Sequence, residues 1–136
     1  MNFIENPNID DLVLFFDTNQ VNQKHFRYYK KRDFNVTKNH LKTLILKEND
    51  EILGYGHLDK EDDIIWLGIM VSDNHIGKGI GNQIMDKLLE NINDEIYLTV
   101  DIQNISAIIL YLKKKFIFQE KKETYYIMRK YESCLS

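Results

Sequence analysis

Apolar positions along the chain change spacing several times, and each change marks an element. Phe3-Ile4 is a short apolar piece, followed by Asn8-Ile9-Asp10-Asp11. Asn8 is placed as a helix N-cap, with two carboxylates in the first turn where the helix dipole favours them. Leu12, Phe15 and Phe16 give that helix its apolar face. Residues 24–31, KHFRYYKK, predict a second helical piece that is basic and aromatic at once. Strands are expected at 44–46, 52–58 and 64–71, separated by the polar turns 48–51 and 59–62, which implies antiparallel pairing. The third run, IIWLGIMV, is apolar on both faces and suits a central strand covered on both sides, with Trp66 in the core.

Beyond it the period lengthens. Ile80, Ile84, Met85, Leu88, Leu89 and Ile92 line one face of an amphipathic helix. A strand at 96–100, a helix at 105–114 and a closing strand pair at 116–119 and 124–129 complete the pattern. The segment 64–100 should form a right-handed parallel crossover. The expected fold is α/β in the α+β sense. It has a mixed, mostly antiparallel sheet of about six to seven strands, one parallel strand–helix–strand unit and about four helices.

Composition narrows this picture. The chain has 136 residues, the usual size of one domain, so 1–136 is read as a single domain. One cysteine, Cys134, leaves no internal disulfide and no cysteine-based zinc site, and no metal is expected. A net charge of −3 argues against a general nucleic-acid partner. The longest apolar run, Ile64–Val71, is far short of the roughly 20 residues of a membrane span. The expectation is a soluble, cytoplasmic protein, monomeric or homodimeric, with no membrane partner.

All six glycines lie between Gly54 and Gly81. Three of them alternate in Ile76-Gly77-Lys78-Gly79-Ile80-Gly81-Asn82, between the central strand and its helix. Such spacing lets backbone N–H groups converge on one concavity, and the following helix brings its positive dipole end there. Taken alone the stretch is equally a plain glycine-rich loop. Gly54, Gly56 and Gly68, in the strands before it, are places where a ligand or another backbone could approach closely.

Two motifs change the weighting. Ile76 to Gly81 resembles the motif Gln/Arg-x-x-Gly-x-Gly/Ala of the GNAT superfamily of N-acetyltransferases, matching at Gly79 and Gly81 and departing at Ile76. Residues 104–116 resemble the family's later pattern, Asn-x-x-Ala-x-x-Leu-Tyr-x-Lys-x-Gly-Phe. Asn104, Ala107, Leu110, Tyr111, Lys113 and Phe116 match, and Lys115 stands where the family has Gly. Ala107 is the only alanine of the chain, so its fit is not a by-product of composition. A lysine at Lys115 must either accept a left-handed conformation, at about 1 kcal/mol, or end the helix differently.

The resemblance implies acetyl-CoA as co-substrate and transfer of its acetyl group to a primary amine by direct attack in a ternary complex. It implies that Ile69 and Val71 lend backbone groups to the pantetheine arm, and that Ile76, Gly77, Lys78, Gly79, Ile80, Gly81 and Asn82 cradle the pyrophosphate. The strand at 96–100 should splay from the central strand at the acetyl end. Asn104 either contacts the cofactor arm or caps its helix. Tyr111 is either an aromatic packing residue or, by the resemblance, the acid that protonates the leaving thiolate and touches the cofactor. A phenol near pKa 10 suits that task.

Attack also needs a base. His57 shares a strand face with Tyr55 and is either a structural histidine or the proton acceptor; Asp63 is the second candidate. Arg27 and Tyr28 lie in the segment where the acceptor would bind, unless that segment is simply a solvated basic face. The implied acceptor is a small amine, an amino sugar or nucleotide-linked amino sugar among the candidates. A protein N-terminus or lysine, or a non-catalytic acyl-CoA-binding module, are the alternatives. His75 is expected to be exposed.

Overall fold

The computed structural model describes residues 1–19, 23, 24, 26, 28–30 and 32–131. Its strands are β1 (Asn2–Glu5), β2 (Lys42–Glu48), β3 (Glu51–Glu61), β4 (Ile64–Val71), β5 (Ile96–Asp101), β6 (Ile117–Lys121) and β7 (Tyr125–Lys130). They form one seven-stranded sheet in the order β1-β2-β3-β4-β5-β7-β6. The β4–β5 pair is parallel and the other pairs are antiparallel, as the sequence pattern predicts. The α-helices among the described residues are α1 (Ile9–Thr18), α2 (Ile80–Leu89) and α3 (Ile105–Lys113). None is long and apolar enough to cross a membrane.

Local chemistry sets the boundaries. Asn8 caps α1, its side-chain oxygen accepting from the Asp11 N–H at 2.9 Å. Of the helix expected over 24–31, the described part contains a 3-10 turn at Tyr28–Lys30. The turn expected at 59–62 is shorter and later. Asp62 and Asp63 alone make it, at φ 51° and 66°, the left-handed pair that a two-residue hairpin requires. Asp59 and Glu61 therefore belong to β3.

The sheet is covered on both faces. On one, Ile80, Ile84 and Leu88 of α2 and Ile108 and Tyr111 of α3 pack with Leu44, Leu58, Leu98 and Met128. Gly54 and Gly56 serve this face, because a Cβ there would lie 2.4 and 2.6 Å from Ile84 carbons. They admit helix side chains, not a ligand or a second backbone. On the other face Leu12, Phe15, Phe16 and Phe26 pack with Ile45, Tyr55 and Met70.

Two irregularities shape the site. β4 pairs with β5 only at Ile65↔Ile96 and Trp66↔Tyr97, so from Leu67 onward β4 has no strand partner on that side. This is the splay that the sequence resemblance implies. At the end of α3, Lys115 takes φ 75°. The Phe116 N–H bonds the Tyr111 carbonyl at 3.0 Å and the Lys115 N–H that of Leu112 at 3.1 Å. This is the glycine-type helix ending, completed by buried Phe116 against the Tyr111 ring. Lysine accepts the strain, and the geometry that places Tyr111 is kept.

Candidate active site

The glycine loop leaves β4 through a 3-10 turn, Asp73–His75, and enters α2. The Asp73 N–H is held by the side-chain oxygen of buried Asn19 at 2.8 Å, which ties the loop's entry to the end of α1. Gly77 and Gly79 both sit at φ 79°, with open space where a Cβ would point. Gly79 is the N-cap of α2 and no side chain caps that helix, so its first N–H groups remain available to an anion. Gly81 differs from its neighbours. It has no positive φ, and its Cβ would meet Leu110 at 3.1 Å, so it permits close packing of α2 against α3. Ile76 and Lys78 are exposed, and Ile80 is buried in the core. His75, expected at the surface, is half-buried, with Nδ1 3.1 Å from the Ser72 hydroxyl.

A cavity of about 530 Å³ runs along this loop and α3, lined by Val71, Ile76, Gly77, Gly79, Asn82 and Ala107 among others. A second, of about 430 Å³, lies over the other end of β4, lined by Tyr28, His57, Asp59, Trp66, Gly68 and Tyr125 among others. Phe26, Ile69, Asn104 and Tyr111 line both. Both volumes are those of small-molecule sites. Tyr111 thus stands where the two spaces meet, and burial raises its phenol well above the ordinary tyrosine range. Asn104 occupies the N-cap position of α3 but caps no N–H. Its Oδ1 accepts from the Ser106 hydroxyl at 3.5 Å, and the residue lines the junction together with Tyr111.

The second cavity rests on two hydrogen-bond chains from alternate residues of β3. In the first, the Tyr28 hydroxyl donates to Asp59 Oδ2 at 2.8 Å and lies 2.6 Å from His40 Nε2. His40 Nδ1 is 2.7 Å from the Thr43 hydroxyl. Burial, with help from the Arg32 charge, lowers the His40 pKa to about 4, so its ring is neutral. Tyr28 has a single proton, spent on Asp59. His40 must then donate from Nε2 and accept from Thr43 at Nδ1, a tautomer assigned by donor count. In the second chain, the Tyr29, Tyr55 and His57 polar atoms follow at 2.7 Å each.

His57 is fully buried, and its pKa falls well below the ordinary value through burial first, with the neighbouring His40 and Arg32 further disfavouring a proton there. Its Nε2 side occupies the space above Gly68, where a Cβ would lie 2.6 Å away. Gly68 therefore admits the His57 ring. Tyr28 is raised far above its usual pKa by burial and by Asp59, and burial pushes Tyr29 up to about 12. Arg32 donates to Glu61 at 3.0 and 3.3 Å and stacks 4.3 Å over the Tyr28 ring.

Among the expected residues, the structure brings Tyr28, His57, Ile69, Asn104 and Tyr111 to the second cavity, and Val71 with most of the glycine loop to the first. Arg27 lies outside the described residues. Asp63 is exposed in its hairpin turn and lines neither cavity. Trp66, expected in the core, is half-buried and forms cavity wall. Asp59, read as a turn charge, is buried. Continuing the alternation of Tyr55 and His57 by one step would have found it. No cluster of metal-ligating side chains occurs among the described residues.

Comparison with known proteins bears on this arrangement. The model of the acetyltransferase (GNAT) family matches residues 7–116. Among solved structures, the fold is similar to that of a ribosomal-protein-alanine N-acetyltransferase from Brucella melitensis, at 15% identity and a TM-score of 0.76, covering 96% of this chain and 99% of that one. It is similar to yncA of Salmonella typhimurium, solved with its cofactor acetyl-CoA, at 13% identity and a TM-score of 0.75, covering 100% and 97%. It also resembles a GNAT-family acetyltransferase from Staphylococcus aureus Mu50, at 23% identity and a TM-score of 0.72, covering 95% and 97%. No curated protein matches the sequence.

Proposed function

Since this chain belongs to the acetyltransferase (GNAT) family and is an N-acetyltransferase that draws on acetyl-CoA, we propose that it acetylates the primary amine of a small molecule bound over β3 and β4. The observation that carries this reading is the junction. A loop cavity suited to a pyrophosphate and a side-chain-walled cavity suited to a small amine share Phe26, Ile69, Asn104 and Tyr111. Two reactants can therefore meet there without a covalent enzyme intermediate.

The loop fits the cofactor on its own geometry: two left-handed glycines facing open space and an uncapped helix end. In this reading Gly77, Lys78, Gly79, Ile80, Gly81 and Asn82, with the backbone of Ile76, hold the pyrophosphate, and Ile69 and Val71 hold the pantetheine arm where β5 has splayed from β4. When bound, acetyl-CoA supplies an activated thioester. Asn104 orients the arm at the junction. Tyr111 keeps its proton at any working pH, so its hydroxyl donates a hydrogen bond to the departing sulfur as charge develops there. His57, kept neutral by burial, receives the amine's proton at Nε2 while Nδ1–H bonds the Tyr55 hydroxyl. Tyr28 and Asp59 shape the acceptor wall. The cytoplasmic location expected from the sequence goes with this reading.

An acceptor screen that follows free coenzyme A tests it. Amino sugars, nucleotide amino sugars, polyamines, amino acids and short peptides would be compared at equal concentration. Saturable turnover with one class of small amine is expected. Turnover of peptides alone would overturn the small-molecule assignment.

A further inference from the structure

We propose that the acceptor carries a second positive charge, held by Asp59, so that the substrate is a short diamine or a related dicationic amine; this rests on the small-amine reading above. Asp59 is only 6% exposed yet lines the acceptor-side cavity. Its Oδ2 accepts the Tyr28 proton, and its Oδ1 has no hydrogen-bond partner among the described residues. Nor does any cationic side chain among them form an ion pair with it. Arg32 is the one cation among the described residues that line this space, and its Nη1 and Nη2 donate to the Tyr28 carbonyl and to Glu61. A buried carboxylate without a cation is strongly disfavoured unless a ligand supplies one.

The walls suit the same ligand. Tyr28, Trp66 and Tyr125 present aromatic surface to the cavity, and Glu61 and Asp62 add carboxylates at its side. Ammonium groups are attracted to both features. The register sets the spacing. His57 pairs with Gly68, beside the junction, and Asp59 pairs with Trp66. Two strand residues separate these levels by about 6–7 Å. A diamine can therefore present one nitrogen at the junction while the other meets Asp59. A phosphate or nucleotide on the acceptor would face Asp59, Glu61 and Asp62, so the nucleotide-linked amino sugar is disfavoured by like charge.

Three amines of one length separate the cases: 1,4-diaminobutane, butylamine and 4-aminobutanoate. For the native enzyme, coenzyme A release should give a kcat/KM for the diamine at least about tenfold above butylamine and about 100-fold above 4-aminobutanoate. Asp59→Asn keeps an acceptor for Tyr28 but removes the charge. It should bring the diamine-to-butylamine ratio to within about threefold, chiefly through the diamine's KM. Equal use of the three amines, or a preference surviving in Asp59→Asn, overturns the inference and leaves the acetyltransferase reading standing. Calorimetry of 1,4-diaminobutane into the coenzyme A-loaded protein gives a readout independent of turnover. Binding that Asp59→Asn abolishes supports the site, and absence of binding to the native protein overturns it. If no amine releases coenzyme A, the small-amine reading fails, and calorimetry still decides the cation site.

Discussion

The two halves of the cleft are built from different materials. The loop half uses backbone: Gly77 and Gly79 at φ 79° and an uncapped helix end. The acceptor half uses side chains drawn from distant parts of the chain: Tyr28, His40, His57, Asp59 and Trp66. A backbone site needs residues that lack side chains, and those stand together in sequence. A side-chain site needs only that a sheet register bring its members together. The first kind can hold one invariant group, and the second can change its ligand by changing one residue.

The largest expected effect breaks the loop half. Gly79→Glu puts a side chain on a left-handed residue and a carboxylate in the cradle. It should weaken acetyl-CoA by about 100-fold or more and abolish the rise in Tm that the cofactor produces. A thermal shift as large as that of the native protein would remove the loop from cofactor binding.

The next strikes the seam. Tyr111→Phe should leave the acetyl-CoA Tm shift in place while lowering kcat by about 100-fold or more with a good amine. Unchanged turnover would return Tyr111 to a packing role. This residue also shows how legibility divides. Its motif, the glycine spacing and the long apolar strand were readable because each is local. Asp59 is misplaced because the expected turn, 59–62, begins three residues before the observed pair Asp62-Asp63, and Trp66 because a strand apolar on both faces does not show which of its side chains wall a cavity. Asp62 and Asp63 adopt left-handed φ, which aspartate tolerates but does not announce. Gly54, Gly56 and Gly68 drew attention as ligand sites, yet each makes room for a side chain from elsewhere: Ile84, Leu88 and His57. Single-sequence patterns show that a glycine is needed but not what approaches it.

A smaller effect sharpens the acceptor half. His40 and His57 are held neutral by burial, with His40 lowered to about 4. Between that value and the unfolded value near 6.5, the unfolded chain binds more protons than the folded one. Stability should therefore fall as pH drops from about 6.5 toward 4 and stay flat above, as far as these groups decide it. Tm measured against pH checks this, and His40→Gln should reduce the slope. A slope of the opposite sign would contradict the neutral-histidine assignment.

The smallest effect concerns the family departure at Lys115. Its positive φ carries strain that glycine lacks, so Lys115→Gly should stabilise the fold by about 1 kcal/mol. Chemical denaturation measures it, and turnover should be retained because the helix ending is already of the glycine type.

The central claim is that both substrates occupy one cleft together, meeting at Ile69, Asn104 and Tyr111. Initial rates measured with acetyl-CoA and the best amine both varied test it most directly. Intersecting double-reciprocal lines are expected for a ternary complex. Parallel lines, the mark of an acetylated enzyme and a ping-pong route, would contradict the account.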